Sequence, residues 1–305
     1  MSAFTPPIRR VNRGRGHSYE DAHGRKVPGV TTVLKSLPKD GLISWAANAT
    51  ADYVLDNWRQ LATSRPSERA AALRHARYDA VNKAAGKGKV IHSLGERLVI
   101  GAQVNVPDGL EGYVDGYVDF LDQHDVSAVH IEGVVASYDD PVYAGTFDLI
   151  ADLTADLGDG PFRSRWLLDL KTGKGVYGEM ALQLAAYRYA PALSIGERGN
   201  WHEIPMPDVD NVGVVHLSSR QLSDGTFAGS YQLLPVIADL NTFEMFAKVY
   251  QQWEILDELK LLVGEPALPP SKVRRMQLTP VPGAIEEFIE EAGDHGSVEV
   301  VGDDE

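Results

Sequence analysis

The chain contains no cysteine among its 305 residues. That absence excludes disulfides, thiolate zinc sites, iron–sulfur clusters and a cysteine nucleophile, and it suits a cytoplasmic setting. No apolar run approaches the ~18 residues of a membrane span, so no membrane partner is expected. The opening MSAFTPPIRRVNRGRG lacks the apolar h-region of a secretory signal. Its arginines suit a transit peptide, but Pro and Gly break the amphipathic helix such a peptide needs. There is no internal repeat and no long linker. KTGKG and GKGKV are glycine-rich, yet neither completes G-x-x-x-x-G-K-[ST], which argues against an NTPase. No His-Glu-x-x-His pair and no catalytic-triad constellation is evident.

Basic residues are missing from one region in particular. Residues 281–305 carry nine carboxylates and no Lys or Arg. Without them the formal net charge falls from −14 to −5. Residues 59–97 show the opposite balance, nine basic groups against three acidic ones. Charge segregated in this way suits a polyanionic ligand better than the total suggests, although basic residues on helices also serve simply to solvate a face.

The apolar fraction of 44% and charged fraction of 24% are those of a globular protein with ample core. Residues 1–28 are rich in Arg, Gly and Pro and read as a basic flexible arm. Helical spacing then predicts a lobe over 42–86, in segments 42–62 and 66–86, followed by helices over 89–101 and 110–124. At residue 128 the period changes to two. Strands are predicted over 128–138, 142–153, 165–172, 211–219 and 229–236, with helices over 178–190 and 240–264. The order is that of an α/β core with an N-terminal helical lobe. Residues 266–305 read as an acidic, largely disordered tail.

Chemistry concentrates on the predicted strands. Alternation puts Leu168 and Leu170 on one face and Asp169 and Lys171 on the other. Preceding strands supply Asp148, with Gly145 just before it to let the chain bend, and Glu132. Three carboxylates on neighbouring strands repel one another and call for a hard cation such as Mg²⁺ or Mn²⁺. Lys171 would then orient a water or stabilise charge on a phosphoryl group. Alone, Asp-x-Lys is an ordinary surface ion pair. His92 lies on a helix directly ahead of these strands and suits Mn²⁺; alternatively it pairs with Glu96 one turn on. Gln183 and Tyr187 share a helix stripe, placed to hold a phosphate or a water, or to serve as a cap and a core tyrosine.

His92, Glu132, Gly145-x-x-Asp148, Asp169-x-Lys171-Thr172-Gly173 and Gln183-x-x-x-Tyr187 together resemble, in order and spacing, the RecB-type branch of the PD-(D/E)XK nuclease superfamily. The resemblance covers about 86–218. It extends weakly over VPGVTTVLKSLPK, which is similar to a segment of phage RecB-like and mitochondrial genome maintenance exonucleases. It implies a restriction-endonuclease-like αβββαβ core with a mixed central sheet, within a nuclease domain over 29–265 whose catalytic part is 87–265. It also implies a metal held by His92, Asp148, Asp169 and the carbonyl of Leu170, with Glu132, Lys171, Gln183 and Tyr187 completing the catalytic set. Unlike the cluster-bearing relatives, this chain cannot form an iron–sulfur cluster. The implied activity is metal-dependent DNA exonuclease action from a single-strand or duplex end, in phage or bacterial recombination, repair or replication. A phage recombinase or single-strand-binding protein is an implied partner. An endonuclease, or an inactive DNA-binding recombination module, is the alternative. Arg74, Arg77, Lys87, Lys89 and Lys174 are the expected DNA contacts, with Tyr78 or Trp58 available for stacking.

Overall fold

Short strands precede the helices. In the computed structural model, which describes residues 8–13, 16–173, 175–197 and 200–264, β1 (Arg9–Arg13), β2 (Gly16–Glu20) and β3 (Lys26–Val27) form an antiparallel sheet in that order. This corrects the expectation of a flexible arm over 1–28 for residues 8–13 and 16–28; the rest of that span lies outside the described residues. The sheet is anchored by tertiary contacts: Ile8 and Tyr19 are buried with Val134, Ala136, Ala144 and Ala192. The expected acidic tail, 266–305, lies outside the described residues. Residues up to Leu261 form one compact unit, described below; of the second, Leu262–Glu305, only 262–264 are described.

Helices α1 (Val30–Val33), α2 (Asp40–Asp56), α3 (Trp58–Thr63), α4 (Pro66–Leu98) and α5 (Glu111–Gln123) follow. Pro66 occupies the first turn of α4, where its missing N–H costs nothing. Glu68 completes the start by accepting a 3.3 Å hydrogen bond from the Arg65 N–H. Two helices were expected over 66–101, with glycines between them. Instead α4 runs unbroken for 33 residues through Gly86 and Gly88. A glycine inside a helix costs only about 1 kcal/mol, which packing offsets. Among the described residues no helix is long and apolar enough to cross a membrane.

The remaining elements are β4 (Ser127–Ile131), β5 (Val134–Ser137), β6 (Tyr143–Thr146), β7 (Leu149–Asp156), β8 (Pro161–Lys171), α6 (Glu179–Arg188), β9 (Ala192–Glu197), β10 (Asn200–Pro205), β11 (Asn211–Gln221), β12 (Phe227–Pro235) and α7 (Leu240–Glu258). A five-stranded sheet has the order β12-β11-β8-β7-β4, and a four-stranded one β10-β9-β5-β6. Among the described strands only β8 and β11 pair in parallel, joined through α6 as parallel neighbours require. The protein is thus mixed α/β with a mixed central sheet. The β9–β10 hairpin was not anticipated.

Alternation layers the molecule. Leu149, Ala151 and Leu153 of β7, with Trp166, Leu168 and Leu170 of β8, pack against Ile91 and Leu94 of α4 and Tyr113, Tyr117 and Phe120 of α5. Ile150, Leu167, Val212 and Val214 face the other way, onto Leu184 of α6 and Phe246 and Tyr250 of α7. Each valine, leucine, isoleucine or phenylalanine among them, fully buried, contributes about 1.5–3 kcal/mol. Leu168 and Leu170 therefore share one face, as the spacing predicts.

Two expected strands, 128–138 and 142–153, are each broken in two, and the breaks lie opposite one another. Glu132 N–H donates to the Asp148 carbonyl at 3.0 Å, and Phe147 N–H to the Gly133 carbonyl at 3.1 Å. Glu132 takes a left-handed backbone, φ 51°. The long hairpin turns a corner here, leaving the five-stranded sheet for the four-stranded one.

Helix α5 approaches β12 as closely as backbones allow. Gly112 and Gly116 face Gly229 and Ser230; a Cβ on Gly116 would stand 2.9 Å from the Ser230 carbonyl oxygen, and one on Gly229 would overlap the Gly112 carbonyl. Backbone atoms cannot yield as a flexible side chain does. Gly229→Ala is expected to lower stability by about 1–3 kcal/mol. A urea midpoint equal to wild type would show that this helix can shift freely.

Candidate metal centre

The corner of the bent hairpin supplies two carboxylates. Asp148, just before β7, accepts a 2.6 Å hydrogen bond from the Leu170 N–H at its Oδ2. Its Oδ1 lies 3.1 Å from Nδ1 of His92, on α4. Burial pushes the Asp148 carboxyl up, but His92, Lys171 and the Leu170 N–H outweigh it and hold the carboxyl below its ordinary range. His92 is opposed by burial too, and the Asp148 bond and charge raise it nonetheless. The expected alternative partner, Glu96, does not take the imidazole; burial and the Glu132 charge raise its carboxyl instead.

Ligand atoms of His92, Glu132 and Asp148 lie within 4.8 Å of one another. Asp169 is not in that group. It sits on β8, 3% exposed, with Oδ2 against Lys171 Nζ and Oδ1 accepting from the Gln183 amide at 3.1 Å. Burial lifts its carboxyl to about 6, Lys171 opposing and Asp148 adding to the rise. Burial works against the Lys171 ammonium, yet Asp169 and Asp148 raise it, so it is charged at neutral pH. Leu170 enters through its N–H, by way of Asp148.

Gln183 bridges inward. The same amide lies 3.1 Å from the Tyr187 hydroxyl, and the Tyr187 ring is buried in the core. The ring explains Gly145. That residue lies inside β6 rather than at a bend, and a Cβ there would clash with the edge of the Tyr187 ring at Cε1. Gly-x-x-Asp and Gln-x-x-x-Tyr are thus two sides of one packing contact.

All these side chains border one cleft of about 670 Å³ between α4, α6 and the N-terminal sheet. Of the expected DNA contacts, Lys89 borders it. Lys87 instead caps the Tyr113 ring at 4.1 Å, and Arg77 lies over the Tyr78 ring at 4.5 Å. Arg74 is exposed and, like Arg77, away from the cleft lining. Trp58 and Tyr78 are exposed as expected. Lys174 lies outside the described residues. One residue was missed: Arg10 of β1, whose NH1 donates to Glu132 Oε2 at 2.7 Å. No local pattern signals a contact across that sequence distance; the arginine-rich composition of the segment was the only trace.

An imidazole and two carboxylates in this proximity fit Mg²⁺ or Mn²⁺, and Mn²⁺ best. No protein-family model matches the chain, and no curated protein matches it. Both His92 and Glu132 are raised, His92 by Asp148 against burial and Glu132 by burial and Asp148 against Arg10. Protons therefore compete for two of the three ligands. Mn²⁺ affinity measured by calorimetry is expected to fall as pH drops from about 8 to about 6. His92→Ala should weaken it by more than about tenfold. Affinity that is flat over this range would remove these residues as ligands.

Proposed function

We propose that the chain is a divalent-metal-dependent DNA exonuclease of the RecB-type PD-(D/E)XK class, hydrolysing phosphodiesters from a strand end in phage or bacterial recombination, repair or replication. The core it would share with that class runs from α5 through the bent hairpin and β8 to α6 and β11, an αβββαβ order when each bent arm counts as one strand and the β9–β10 hairpin as an insertion. One observation carries the reading: the His92–Glu132–Asp148 group and the Asp169–Lys171 pair border the same cleft.

His92, Glu132 and Asp148 would hold the cation, with Asp169 beside them. Bound there, it supplies Lewis-acid stabilisation of charge building on a phosphoryl group. The protein's own residues do the rest. Lys171, kept protonated by two carboxylates, stabilises negative charge rather than removing a proton. Asp169 holds that ammonium in place, and Gln183 holds Asp169. Tyr187 fixes Gln183 from the core, so Gln183 and Tyr187 act as positioning residues. Arg10 opposes the upward push that burial and the Asp148 charge exert on the Glu132 carboxyl.

Digestion of linear and covalently closed circular DNA, with Mg²⁺ or with EDTA, tests the activity. Linear DNA alone should be degraded, and only with metal. Cutting of circles would make the protein an endonuclease, and inertness towards both would leave a binding module. Lys171→Ala is expected to slow turnover by about 10²–10³-fold while strand binding persists. Near-normal turnover in Lys171→Ala or Asp169→Ala would remove the pair from the chemistry.

A further inference from the structure

The register of the N-terminal hairpin puts an unassigned set of donors on the cleft. Arg10 pairs across the strands with Tyr19, and Asn12 with His17. Cross-strand partners and residues two apart share a face, so these four side chains project together. All four border the cleft. Tyr19 pins this face to the core: it is buried, and its hydroxyl lies 2.9 Å from Thr146 Oγ1 on β6. Asn12 and His17 are exposed. Arg10 donates from NH1 to Glu132, while its Nε–H is buried with no acceptor.

The cleft is electrically divided. The buried or half-buried carboxylates of Glu96, Glu132, Asp148 and Asp169 form its floor, while Arg10 and the exposed Lys89 of α4 supply positive charge at its rim, where the exposed His17 also stands. Positive charge is concentrated enough at the rim to be felt by His17. Burial first, then Arg10, Lys89 and Lys35, push its imidazole below the ordinary value. A short anion would meet repulsion from the floor as well as attraction from the rim. A strand whose phosphates are spaced along its backbone can satisfy both, one phosphate at the metal centre and another at the rim.

We propose that the β1–β2 face is a subsite for a backbone phosphate of the bound nucleic-acid strand, formed by Arg10, Asn12 and His17 with Lys89 opposite. Arg10 bridges two tasks, one donor on Glu132 and the remainder of its planar fork toward the phosphate. The subsite rests on the nuclease reading above, because it takes the phosphate next to the one that would be cleaved.

Binding without metal isolates it from catalysis. The full chain in EDTA is titrated against a fluorescein-labelled single-stranded oligothymidine and followed by anisotropy over a range of salt. Asn12→Asp should weaken binding about fivefold and Asn12→Lys tighten it similarly, the effect of one unit charge near a phosphate in water. Arg10→Gln should weaken it about tenfold and reduce the salt slope by about 0.7, one single-strand phosphate contact. The paired Asn12 variants change an exposed position in opposite senses, so loss of fold cannot mimic the result. A wild-type protein that binds no strand overturns this subsite and the nuclease reading together. A wild type that binds, with all three variants matching its affinity and salt slope, overturns the subsite alone.

Discussion

The carboxylate of Asp148 is where the architecture converges. One oxygen takes the Leu170 N–H of β8 and the other meets His92 of α4, while the residue itself sits at the hairpin corner. Helix, corner strand and central strand are thereby fixed to a single half-buried anion. A charge in that position is favoured by having its partners in place, since a half-buried carboxylate without them is desolvated with nothing to compensate it. The arrangement of the site is therefore a condition of stable packing, and the acidic character of the cleft floor follows from it.

Around that anion the sheet changes direction. The opposed breaks at 132–133 and 147–148 carry the long hairpin from one sheet to the other, and the two carboxylates at these breaks meet on the cleft. Continuous strands would have alternated Glu132 and Asp148 onto faces set by pleat alone. The corner aims them by backbone geometry instead. Gly133 permits the turn, since a Cβ there would lie 2.7 Å from Phe147 Cε1.

What the sequence made legible was local. Period-two alternation put Leu168 and Leu170 against Asp169 and Lys171, and the five-stranded sheet keeps that division. Spacing on α6 put Gln183 and Tyr187 on one stripe, and they share a hydrogen bond. Misreadings arose where tertiary packing decided. Glycines at 86 and 88 suggested a helix break that α4 does not make. Residues 9–27 looked too polar for a sheet because their strands are short and draw their burial from β5, β6 and β9. The contact between Arg10 and Glu132 joins distant parts of the chain, and only the folded structure brings them together. Gly145 was noticed for the right residue and the wrong reason, a bend in place of room for an aromatic ring.

The left-handed backbone of Glu132 sets stability and capability against each other at one position. A non-glycine residue held there costs on the order of 1–3 kcal/mol, and the surrounding structure has to impose it. Glycine would relax the backbone and remove the carboxylate in the same stroke. A search for hardier variants of this protein, guided by melting temperature alone, would drift toward Gly or Asn at position 132 and discard a ligand of the candidate centre. Position 132 therefore belongs among those to be held fixed when the fold is engineered.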